Sequence, residues 1–127
     1  MPYLIKQKHE KLFSMAGIYT YWTDKETGEI FTSFAIITTS ANELMEKIHN
    51  GGDNPHRMPL MLDKQKADQW LNSSTTEEHI KQLLEYKIPA DDLTAHPVFT
   101  IRGKNKLTGP EILEPYNWEG YTLELGC

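Results

Sequence analysis

The stretch "FTSFAIITTSANELMEKIHNGGDNPHRMPLML", residues 31–62, changes character three times. Up to Thr39 it is rich in Phe, Ile and Thr, which suit a pleated surface, so it reads as strand. From Ser40 onward the apolar groups fall at Ala41, Leu44, Met45 and Ile48. Those are the three, four and seven offsets of one helix face. Ser40 and Glu43 have capping-box spacing, the hydroxyl accepting an N–H near Glu43 and the carboxylate returning to the Ser40 amide. "GGDNP" stops the helix by Asn50. "LML" after Pro59 is then a compact apolar strand. Strand, short helix, polar loop and strand imply a mixed fold. They leave His49, His56 and Arg57 around one polar loop.

Outward from this stretch the same signals recur. "PYLIKQ" and "LFSMAGIYTYW" read as strands, and "TDKETGE" as the hairpin loop before Ile30, with Asp24, Glu26 and Glu29 as turn residues. "DKQKADQWL" is a second helix, with Asp63 as N-cap and Ala67, Trp70 and Leu71 inward. "NSSTTEEHIKQLLEY" restarts a helix, with Thr75 and Glu78 at capping-box spacing and Ile80, Leu83 and Leu84 on its inner face. "KIPADD" ends it. "LTAHPVFTI" is a last central strand, whose Pro97 marks an edge or a bulge. Residues 116–127 are a tail or one further strand. The expected class is α+β, a mostly antiparallel β-sheet with two or three short helices.

The chain has 127 residues and a mass of 14.7 kDa, which suits one domain or part of a larger one. With 39% hydrophobic and 24% charged residues it is globular in composition. The net charge of −5 argues against a nucleic-acid binder that is basic over its whole surface, but permits a local basic groove. Cys127 is the single cysteine, so neither an internal disulfide nor a Cys-rich zinc site is available. No apolar run has signal-peptide or membrane-span length. The expectation is a soluble cytoplasmic protein with no membrane partner.

No phosphate-binding glycine loop, dinucleotide fingerprint or HExxH motif is present. The five histidines, His9, His49, His56, His79 and His96, lack zinc-site spacing, so neither a metal nor a cofactor is expected. His49 ends the short helix, where the dipole favours a protonated ring and the following glycines permit close approach. Histidine changes charge most readily near neutral pH, which suits proton transfer. The alternative is a capping histidine bonded to a helix carbonyl, and His56 is a loop residue. Arg57 precedes a buried strand, where it would hold a phosphate or a rim carboxylate. "RGKNK", residues 102–106, is the most basic window and reads as a solvated turn or one side of a groove. His96 reads as a half-buried structural residue, while His9 and His79 have no evident chemical partner.

Several motifs in order carry a resemblance. They are "PYLIK", the "AG" after "LF", "IITT.AN" at the strand-to-helix junction, "IH", "RMP" before an apolar strand, "HPV" and "GPEIL". From Pro2 to about Pro115 the chain resembles the later part of an SOS-response-associated peptidase domain, the family of abasic-site shielding proteins. The resemblance implies binding of single-stranded DNA and covalent capture of an abasic site. The captor is a cysteine directly after the initiator methionine, whose thiol and amine react with the ring-opened sugar aldehyde. By the same resemblance His49 is the catalytic histidine that handles protons. Arg57 and Thr38 are DNA-binding residues, and the partner is single-stranded DNA with an abasic site.

The departures are specific. The chain begins "MPYLIK" rather than "MCGR", and lacks both the "NAR.E" segment and the glutamate of a "GFYEW"-like segment. Thr20 stands where many members have an acidic residue. Seven residues separate His49 from Arg57, more than the "IH.RMP" form, which leaves His56 as an alternative to His49. A fragment, a late start and a natural short relative all fit. Pro2 as a Schiff-base amine and Cys127 as nucleophile both sit in the wrong place. Covalent capture is therefore expected to be weak or lost. The competing reading is a non-enzymatic protein-binding or self-associating module, in which exposed sheet surface produces a homo-oligomer. No triad or zinc set supports the peptidase or hydrolase activity in the family's name.

Overall fold

The structure is a computed structural model and describes residues 1–104 and 106–120. In chain order its elements are β1 (Tyr3–Gln7), β2 (Ser14–Met15), β3 (Gly17–Thr23), β4 (Ile30–Ile36), β5 (Thr38–Ser40), α1 (Glu43–Ile48), β6 (Arg57–Pro59), β7 (Met61–Leu62), α2 (Lys64–Leu71), α3 (Glu77–Glu85) and β8 (Leu93–Pro97). Short 3₁₀ turns lie at Ala90–Asp92 and Pro110–Leu113. The class is α+β: among the described residues every strand pair is antiparallel and there are three α-helices. The chain divides into two compact units, residues 13–88 and residues 1–12 with 89–127.

In the 13–88 unit each strand segment read from the sequence is interrupted by one residue: Ala16, Ile37 or Leu60. The Ala16 N–H donates to the Leu60 carbonyl (2.9 Å), the Leu60 N–H to the Ile37 carbonyl (2.8 Å), and the Ile37 N–H to the Ala16 carbonyl (2.9 Å). The three residues thus close a ring of backbone hydrogen bonds. From it run three two-stranded ladders, β2 with β7, β3 with β4, and β5 with β6. A strand that changes partner midway must leave one residue outside regular pairing, and these bonds satisfy its buried polar groups. Ala16, Leu60 and Leu62 form the core at this point, with Ile37, Ala67, Trp70 and Tyr86 packed against it. The expected antiparallel strands are present, paired among the described residues as four two-stranded ladders, the fourth being β1 with β8.

The helix starts differ from the capping boxes read in the sequence. Asn42 caps α1, its side-chain oxygen accepting the Met45 N–H at 2.9 Å. Ser40 cannot serve because it pairs with Arg57 in the β5–β6 ladder. Thr76, not Thr75, caps α3 by accepting the His79 N–H. Thr75 instead donates its hydroxyl to the Gln69 carbonyl. Asp63 caps α2, as its position implies, accepting the Lys66 N–H at 2.8 Å. Burial pushes the Asp63 carboxyl up, but the Lys66 side-chain and backbone hydrogen bonds and the Lys66 charge outweigh it, leaving the carboxyl below its usual range. The same pair raises the Lys66 ammonium. Trp70 donates its indole N–H to the Gly17 carbonyl at 3.1 Å. Leu71 and Leu84, expected inward, are exposed. α1 and α3 each hold one buried position, Met45 and Leu83, whereas α2 has none and packs through half-buried Ala67 and Trp70.

In the other unit β8 pairs, among the described residues, with β1 alone, Tyr3 lying opposite Pro97 and Gln7 opposite Leu93. It is not a central strand, and it ends at Pro97, which has no N–H to donate. The His96 ring nitrogen Nε2 donates to the Leu113 carbonyl at 2.9 Å, since a carbonyl can only accept. Phe99 stacks on Trp118, with Tyr116 edge-on to both. Residues 121–127, including Cys127 and more than half of the expected tail, lie outside the described residues. Among the described residues no helix is long and apolar enough to cross a membrane.

Candidate functional site

β5 runs through Ala41 and Asn42 into α1, and the loop 50–56 returns the chain to β6 beside β5. Two features fix this path. Asn42, 5% exposed, caps α1 and donates its side-chain N–H to the Ile88 carbonyl at 2.9 Å. Its backbone N–H meets the Met58 sulfur at 3.3 Å. The loop is closed at its neck, where the His56 N–H donates to the His49 carbonyl (2.7 Å) and the Ala41 N–H to the His56 carbonyl (2.8 Å). His56 takes a φ of 58°, the left-handed region uncommon for a residue with a Cβ. The breaker composition is what lets seven residues close so tightly.

Ser40 lies opposite Arg57, so Thr38, two residues along β5, shares that face of the ladder. The Arg57 side chain reaches diagonally to Thr38. Its Nε and Nη2 donate to the Thr38 hydroxyl at 3.1 and 2.5 Å, and Nη2 also to the Thr38 carbonyl at 3.1 Å. No carboxylate pairs with Arg57 among the described residues, so the rim salt bridge weighed from the sequence is not formed. The Arg57 Nη1 hydrogens have no partner among the described residues. Because the Thr38 oxygen accepts from Arg57, its own O–H is left to donate.

An open cleft of about 500 Å³ is lined by Thr38, Met45, His49, Asn54, Arg57, Met58 and Pro59. His49 caps the C-terminus of α1 through its backbone N–H, which donates to the Met45 carbonyl at 2.7 Å. Its exposed ring bonds no carbonyl and no other described group. His49, Thr38 and Arg57 thus line one cleft, while His56 is not among the lining residues. Asn54 and Met45 belong to the lining and were not singled out from the sequence. Met45 was visible only as a core position of the helix. Nothing local distinguishes Asn54 from its neighbours in the loop, because its direction depends on the closure at His49 and His56. Arg102 and Lys104 are exposed and belong to the other compact unit. His9 is exposed, and the His79 ring meets the Thr76 hydroxyl at 3.1 Å. Among the described residues no three His, Cys, Asp or Glu side chains gather as a metal site would require.

The cleft can therefore offer directed N–H and O–H donors, a cation and a titratable ring. These suit an anionic ligand that exchanges a proton. The model of one family, described as SOS response associated peptidase (SRAP), matches residues 1–104. The chain is 36% identical over 116 residues to the abasic site processing protein YoqW of Bacillus subtilis, covering 91% of this chain and 49% of that protein. It is 33% identical over 106 residues to the abasic site processing protein HMCES of Gallus gallus, covering 83% of this chain and 29% of that one. A crystal structure of a protein from Bacteroides thetaiotaomicron superposes with a TM-score of 0.77 at 36% identity, over 91% of this chain and 48% of the other. The chain spans about half the length of the bacterial relatives it matches.

Proposed function

The chain belongs to the SOS response associated peptidase (SRAP) family, and we propose on that footing that its cleft engages single-stranded DNA at an abasic site. The observation that carries this reading is the shared cleft of His49, Thr38 and Arg57, in a chain whose relatives are named as abasic site processing proteins. Arg57 Nη1 and the Thr38 hydroxyl hold a backbone phosphate through charge-assisted bonds. Arg57 is held in place by its bonds to Thr38, so little side-chain freedom is lost when phosphate arrives. His49 gives or takes a proton at an oxygen of the ring-opened sugar. The lining residues include no thiol and no amine. The cleft by itself therefore supplies no nucleophile for covalent capture.

Two measurements test the reading. Fluorescence anisotropy with single-stranded DNA carrying a stable abasic analogue should give an affinity that falls as salt rises. Arg57→Ala should lower the slope of log affinity against log salt by about 0.7, one phosphate contact on a single strand. Binding that ignores salt, or an unchanged slope in Arg57→Ala, overturns the phosphate role. With natural abasic DNA a denaturing gel should show little or no shifted band, and a robust crosslink overturns the non-covalent assignment.

A further inference from the structure

The hairpin of β3 and β4 carries no charged residue in either strand. Its register puts Tyr19, Tyr21, Ile30, Phe34 and Ile36 on one face, and Ile18, Trp22, Phe31 and Ala35 on the other. On the second face Trp22 and Phe31 pack against each other, with ring centroids 5.7 Å apart. The first face is more open. Phe34 is 79% exposed, Tyr19 69%, Ile30 69%, Tyr21 66% and Ile36 45%. A two-stranded ribbon is marginal in water without a third strand or a covering layer, and here neither face is covered by the described residues. Both outer edges also lack the lysine, proline or bulge that usually protects an edge.

The geometry points to a second copy of this chain as the layer that covers the Tyr19, Tyr21, Ile30, Phe34 and Ile36 face. Two observations select that occupant. The first is charge. The chain carries −5 overall, so two copies repel through most surfaces, but this face has no charge to oppose its own image. An uncharged apolar face can meet its own image across a two-fold axis, as a closed dimer requires. The second is area. Three aromatics of about 150–250 Å² and two isoleucines at these exposures present roughly 600–700 Å² per copy. Two copies bury about 1,300 Å², at the lower end of the range for specific interfaces. An interface of that area makes a weak dimer. This inference is independent of the cleft, because none of the five residues lines it.

Sedimentation velocity on the full chain tests it, with dimer expected to replace monomer as concentration rises through about micromolar. Phe34→Thr, or separately Ile30→Thr, keeps β-propensity while removing apolar surface, and each should weaken dimerisation at least about tenfold with unchanged far-UV circular dichroism. Phe31→Thr on the opposite face should leave it within about twofold. A monomer at every concentration overturns the proposal, as does a dimer indifferent to both Phe34→Thr and Ile30→Thr. So does a monomer that instead binds one-to-one a polypeptide comprising the rest of a relative's length, which would assign the face to that partner.

Discussion

Replacing Asn42 by alanine removes two bonds at once. The side-chain oxygen accepts the Met45 N–H at 2.9 Å, and the side-chain nitrogen donates to the Ile88 carbonyl at 2.9 Å, in a residue 5% exposed. Loss of an N-cap costs about 0.5–2 kcal/mol. Leaving the Ile88 carbonyl without its donor in a buried place costs about 1–3 kcal/mol more. The expected total is about 1.5–5 kcal/mol, a large part of what holds a domain of this size. Asn42→Ser separates the two effects, since serine still caps but is too short to reach Ile88, and should lose about half as much. Urea unfolding followed by tryptophan fluorescence and circular dichroism gives the numbers, with an unchanged slope required for a simple stability reading. A loss below about 1 kcal/mol in Asn42→Ala, or equal losses in both variants, would refute the assignment of two roles to this residue.

Asp63→Asn keeps a good cap but removes the charge paired with Lys66. The folded Asp63 carboxyl lies below its unfolded value, so its contribution is full above about pH 4 and is lost as pH falls through the folded value. The raised Lys66 keeps its contribution below about pH 10 and loses it as pH rises through the folded value. Unfolding curves of the two proteins should differ by under about 1 kcal/mol at pH 7 and converge in acid; a constant gap down to pH ~2 contradicts the pairing. His56→Gly relieves the left-handed backbone, worth about 1–2 kcal/mol, against the greater chain entropy of glycine, about 0.5–1 kcal/mol, and should raise stability slightly. DNA affinity should stay as it was, because His56 does not line the cleft. A large loss of affinity there would pass the histidine role from His49 to His56.

Local chemistry made much of this molecule legible. The offsets at Ala41, Leu44, Met45 and Ile48 gave α1, and Asp63 gave the start of α2, because both depend on residues a turn apart. The strand runs were readable from composition, but their interruptions were not. Ala16, Ile37 and Leu60 look like ordinary strand residues, and only the meeting of three distant segments sets them apart. Asn42 shows the same limit. Ser40 and Glu43 offered a plausible cap, but the competing pairing of Ser40 with Arg57 removed it. In the cleft, His49 and Arg57 were marked by type and by their place at element ends. The bonds from Arg57 to Thr38 needed the register of β5 on β6, and Asn54 needed the closure of its loop.

The ring of hydrogen bonds among Ala16, Ile37 and Leu60 also governs how the chain reaches this shape. The β3–β4 hairpin is local and can form early, within microseconds. The other two ladders need the segment from residue 57 to 62, which must return across a long stretch of chain before it gains any bond. That loop closure costs entropy before contacts offset it. Once Leu60 arrives, one residue supplies both a donor and an acceptor to two different strands. The last step to form is thus the one that joins all three ladders. The amides of Ala16, Ile37 and Leu60 should accordingly share a single opening event, and the slowest hydrogen exchange of the 13–88 unit is expected there.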